Sequence, residues 1–94
     1  MSVEEIRRLI EEMNLRVSKD YLKMNIEQLS RELREAMQFE NQTFQRIDEL
    51  EKNGVESDLA NYARMICKNT VSREIVEIQE NYFKKIDNEY LNSN

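Results

Sequence analysis

The hydrophobic positions of this chain recur in steps of three and four along nearly its whole length, the spacing of helices with one face turned to a core. Val3, Ile6, Ile10 and Met13 lie at that spacing and predict a first helix ending near Asn14. Ser2, with Glu5 three residues on, forms the pattern of a capping box at its start. At about a dozen residues this helix is marginal alone and must draw its stability from docking. Leu15 and Val17 fall in the link, and Ser18 or Asp20 is the expected cap of the next element.

From Tyr21 to about Lys52 runs a continuous stripe: Leu22, Ile26, Leu29, Leu33, Met37, Phe44, Ile47 and Leu50. It predicts one long helical arm. Asn53 to Ser57, containing Gly54, is the expected turn, with Ser57 or Asp58 capping the second arm.

The stretch from Leu59 to Tyr90 is two-faced. One face carries Leu59, Tyr62, Ala63, Ile66, Cys67, Val71, Ile75, Ile78, Tyr82 and Ile86, and nearly opposite lie Met65, Val76, Phe83 and Tyr90. A helix with apolar residues on two sides needs cover from both.

Folding the chain back at Gly54 brings the two arms into register. Leu22 meets Ile86, Ile26 meets Tyr82, Leu33 meets Ile75, Met37 meets Val71, Ile47 meets Tyr62 and Leu50 meets Leu59. An antiparallel hairpin is therefore expected, and with the leading helix it makes an all-α domain spanning 1–94, with three to four helices packed in an oligomeric bundle. Glu40 interrupts the first stripe opposite Arg64, Lys68 and Thr70, where the second arm's pattern shifts around the helix. Either Glu40 forms a polar layer with Lys68 or Arg64, or the second arm breaks at Asn69 and Thr70; the break or bend is preferred.

The residues that cannot face the hairpin partner are the candidate partner-binding set: Tyr21, Phe39, Met65, Val76, Phe83 and Tyr90. The leading helix is a competing source of cover for Phe83 and Tyr90, but it is too short to reach Met65 or Phe39 as well, since a dozen residues span only about 18 Å. Uncovered aromatic and Met side chains mark interfaces, so another polypeptide is expected there.

Composition narrows the function further. With 39% apolar and 35% charged residues, one Gly and no Pro, strands and tight turns lack their usual punctuation. A net charge of −5 argues against phosphate-backbone binding as the main task. Arg7 with Arg8, and Lys84 with Lys85, are read as solvated faces among acids. Cys67 stands alone and is read as a small core residue. The charged first ten residues are no signal peptide, and no run suits a membrane span, so a cytoplasmic protein is expected. There is no His, no Gly-rich phosphate loop and no metal-ligand spacing. Glu4 beside Glu5, and Glu11 beside Glu12, point in different directions on a helix. No catalytic residue, cofactor or metal is expected.

The layout resembles the α-helical domain of GINS subunits of the archaeal replicative helicase assembly. The likeness rests on a short leading helix, Asp20-Tyr21 opening a long acidic helix, Arg73-Glu74-Ile75, and a close in Tyr82-Phe83-Lys84-Lys85-Ile86. Asn81 or Tyr82 stands where the family pattern has a basic residue before Lys85. The family's small β-rich second domain does not follow Asn94, so the resemblance implies one domain of a longer protein, or a likeness of architecture alone. It implies a non-catalytic subunit that pairs with a sister subunit through long helices and links a helicase ring to other replication factors. The alternative from the residues themselves is a small homodimeric adaptor of viral or secretion-chaperone type, and a third is a DNA-binding accessory protein.

Overall fold

The computed structural model describes residues 2–16 and 18–91, the side chains of Ser2 and Leu91 excepted. The expected place of Val17 in the link and the expected cap by the Ser2 side chain thus lie outside the described residues. Among these, every regular element is helical. Helix α1 is Ser2–Asn14, α2 is Ile26–Lys52, α3 is Ser57–Cys67 and α4 is Arg73–Ile86. A 3₁₀ turn at Tyr21–Lys23 precedes α2, a π-helical turn at Lys68–Ser72 joins α3 to α4, and a second π turn covers Asp87–Leu91. The molecule is a rod of 58 × 20 × 17 Å with a radius of gyration of 16.3 Å, where a compact domain of this length would have about 12 Å.

The hairpin turn is built as a Schellman motif. The Val55 N–H donates to the Leu50 carbonyl at 3.0 Å and the Gly54 N–H to the Glu51 carbonyl at 3.1 Å. Together these bonds satisfy carbonyls left open at the end of α2, while Val55 and Leu50 pack in one cluster. Gly54 has φ 114°, a backbone that only glycine adopts without strain.

The start of α2 differs from the sequence expectation. Its cap is Asn25, whose side chain accepts from the Gln28 N–H at 2.8 Å while the Gln28 side chain accepts from the Asn25 N–H at 2.9 Å. Met24 and Leu29, before and after this box, lie against the same core cluster as a hydrophobic staple. The segment around Asp20 stays outside the helix because its 3₁₀ turn sends Tyr21 inward. Leu22 is consequently 72% exposed rather than buried in the seam where it is expected to meet Ile86. At α3 neither Ser57 nor Asp58 acts as the cap; Glu56 holds that position without a side-chain bond.

The seam of α2 is a heptad stripe: Leu29, Leu33, Ala36, Glu40, Thr43, Ile47 and Leu50, of which Leu29, Ala36, Thr43, Ile47 and Leu50 are buried. Ala36 and Thr43 take the places expected for Met37 and Phe44. On the other arm Ala60, Ala63, Cys67, Val71, Ile75 and Ile78 are buried, and Ala63 takes the place expected for Tyr62. The expected antiparallel arrangement stands, with the seam shifted by one residue at these positions.

The irregularity opposite Glu40 is the π turn. Instead of breaking, the second arm absorbs one extra residue and so restores the phase of its apolar stripe. The Thr70 hydroxyl donates to the Ile66 carbonyl at 2.7 Å, inside the segment where the regular ladder is disturbed. The Ser72 hydroxyl bonds the Glu40 carboxylate across the seam. Glu40 thus forms a polar layer, though with Ser72 rather than with Lys68 or Arg64.

Helix α1 runs along the closed half of the hairpin. Ile6 packs with Ile47, Leu50, Ala60 and Ala63, and Met13 packs with Cys67 and Val71. It therefore does not reach Phe83 or Tyr90.

Candidate functional site: the open flank of the hairpin

Polar contacts show which flank of α2 the N-terminal segment covers. Glu32, Phe39 and Arg46, spaced two turns apart, receive Lys19, Arg16 and Glu5 in order. Lys19 Nζ lies 2.9 Å from Glu32, the Arg16 guanidinium stacks 4.6 Å from the Phe39 ring centre, and Arg46 Nε donates to Glu5 at 2.7 Å. Phe39 is thereby half-covered from within the chain, which removes much of its expected availability.

On α4 the same flank is sealed at Glu74. Its carboxylate accepts from Arg16 Nε at 3.0 Å and Nη2 at 3.1 Å, and from the Tyr21 hydroxyl at 2.9 Å. Ser18 donates to Glu77 at 2.7 Å beside it. Burial, then the bond to Glu74, pushes the Tyr21 hydroxyl pKa up to about 12, and the bond to Glu74 raises that of Arg16. Tyr21 is 2% exposed. Its expected role as a partner-binding residue is corrected: in the 3₁₀ turn ahead of α2, Tyr21 is free to turn inward once its hydroxyl has a carboxylate to bond.

The opposite flank has no such cover among the described residues. Ser72 and Glu40 mark it, since they bond across the hairpin there. Residues three or four apart share a helix face, so Met37 and Phe44 flank Glu40, and Val76 lies one turn beyond Ser72 with Phe83 two turns further on. Val76 and Glu74, two residues apart, point to nearly opposite sides. Met37, Val76 and Phe83 are 44%, 51% and 59% exposed, while Phe44 is half-buried against the core. At the closed end of this flank Arg64 donates to Asp48 at 2.7 Å and Glu51 at 2.6 Å, and that contact holds the Glu51 carboxyl below its ordinary pKa.

Of the remaining expected residues, Met65 is half-exposed and sits between the fully buried Ala63 and Cys67, so it points away from the core. Tyr90 is exposed at the far end, in the second π turn. The structure thus brings Val76 and Phe83 onto one surface and adds Met37 and Phe44, which the apolar spacing assigns to the seam. Elsewhere, an apolar cleft of about 310 Å³ opens between α1 and α3, lined by Val3, Ile6, Ile10, Leu59 and Tyr62. A polar one of about 260 Å³ lies over the π turn beside Arg16, Arg73 and Glu77.

No helix among the described residues is long and apolar enough to cross a membrane. Cys67 is buried, and burial, then the nearby Glu40, pushes its thiol pKa up to about 11, away from the reactive thiolate. The architecture defines an all-α hairpin with a third helix on one flank. No known protein family, curated protein or solved structure matches the chain.

Proposed function

We propose that this chain is a non-catalytic helical interaction module whose open flank receives a helical protein surface. The observation that carries this reading is the asymmetry of the hairpin: one flank is closed by ion pairs and α1, while the other presents Met37, Val76 and Phe83 half-exposed in a row. Such apolar residues on a rod, bordered by charges, are the composition of a helix-packing interface. The polar Glu40–Ser72 pair, between Phe44 on one side and Met37, Val76 and Phe83 on the other, would set the register of a docked helix. The finer reading, a scaffold subunit of a DNA-replication assembly, draws its support from the GINS resemblance alone.

Photo-cross-linking tests the surface. A photoreactive residue at Val76 should form a discrete adduct in cell extract, and one at Glu12 on the outer face of α1 should not. Equal labelling from both positions, or none from Val76, contradicts the proposal.

A further inference from the structure

We infer that the occupant of the open flank is a second copy of this chain, docked antiparallel about Asn41; this rests on the open flank being an interface. Along that flank of α2 run Ser30, Arg34, Met37, Asn41, Phe44 and Asp48, in alternating steps of four and three, with Ser30 and Phe44 half-buried and the other four exposed. Such spacing is that of a helix-packing stripe, lying beside the seam that holds the hairpin.

The stripe is self-complementary under one symmetry only. Arg34 lies seven residues before Asn41 and Asp48 seven after; Met37 lies four before and Phe44 three after. A two-fold axis at Asn41 sets Arg34 against Asp48 of the second copy and Met37 within one residue of the level of its Phe44. A parallel pairing would instead set Arg34 against Arg34 and Asp48 against Asp48. Closed two-fold interfaces require this kind of self-complementarity.

The charges at both ends of the stripe are available for it. Arg34 finds only Ser30, Arg31, Met37 and Gln38 three or four residues away, none of them a carboxylate. It makes no ion pair with a described residue. At the other end a single guanidinium, Arg64, serves both Asp48 and Glu51, which leaves a net negative charge there. The second copy's Arg34 arrives where that charge is.

Sedimentation analysis of the full chain is the test. Wild type should sediment at twice the 11.4 kDa chain mass. Arg34→Asp alone and Asp48→Arg alone should each weaken the dimer by about tenfold or more, and the double swap should restore it to within about threefold. Both positions are exposed, and circular dichroism confirms that each variant is folded. A wild type that is monomeric at about 0.1 mM, a dimer indifferent to the single reversals, or a double swap that fails to rescue each overturns the inference. A monomer that still gives a Val76-specific adduct with another protein overturns only the second copy. A monomer without that adduct overturns the open-flank reading as well.

Discussion

The Tyr21 hydroxyl donates to the Glu74 carboxylate at 2.9 Å across the interval between the link and α4, and Arg16 closes on the same carboxylate from the end of α1. This junction ties the N-terminal segment to the hairpin. Glu74→Ala should cost about 2–3 kcal/mol, because it leaves a buried hydroxyl and a partly buried guanidinium without their acceptor. Tyr21→Phe should cost about 1–2 kcal/mol. Combined, the two should cost less than their separate effects. Urea unfolding of the three variants measures this.

Stability should fall at alkaline pH. The Tyr21 pKa rises from 10.0 to about 12 and that of Cys67 from 9.0 to about 11, so in both cases the fold prefers the neutral form. The unfolded chain ionises first; the stability is whole below pH 9 and is lost as pH climbs through 9 for the thiol and 10 for the phenol, toward their folded values. Thermal melts from pH 7 to 11 should show this decline, and Tyr21→Phe should flatten its upper part.

The π turn at Lys68–Ser72 holds one residue more than an α-helix needs. Deleting exposed Asn69 should convert it to an α-helical turn and keep every later residue in phase, changing stability by about 1 kcal/mol or less. Deleting exposed Glu77 should rotate Ile78 and Tyr82 about 100° out of the core and cost about 2–4 kcal/mol. Melting temperatures of the two deletions discriminate the mechanism.

Gly54→Ala should cost about 1–2 kcal/mol from its backbone conformation alone, since nothing lies within 4 Å of an added Cβ. Replacement with D-alanine by chemical synthesis should remove that cost. Equal losses from both enantiomers in denaturant titrations would point to crowding instead.

Most of the fold is legible in the apolar periodicity, because large residues such as Leu29, Leu33, Ile75 and Ile78 mark the seam directly. The register errs where the seam is small. Ala36 and Thr43 carry little hydrophobic signal beside Met37 and Phe44, so the pattern draws the larger side chains into a position that the close approach of the arms cannot hold. Tyr21 misleads in the opposite sense: its neighbour Leu22 fits the helical period, and only the tertiary bond to Glu74 explains its inward turn. A usable signal does exist for the covered flank, in the seven-residue spacing of Glu32, Phe39 and Arg46 and the charges before Asp20 that answer it. The disturbance near Asn69 is visible as a phase shift, but its resolution into a π turn depends on backbone hydrogen bonding that side-chain pattern does not encode.

Methyl-resolved NMR on a dilution series tests the docking flank most directly. The Met37 and Val76 methyl signals should move together with protein concentration, while Val3 and Leu22, exposed elsewhere, stay fixed. Movement centred on Val3 and the cleft beside Tyr62, with Met37 and Val76 unchanged, would contradict an interface on this side of the hairpin.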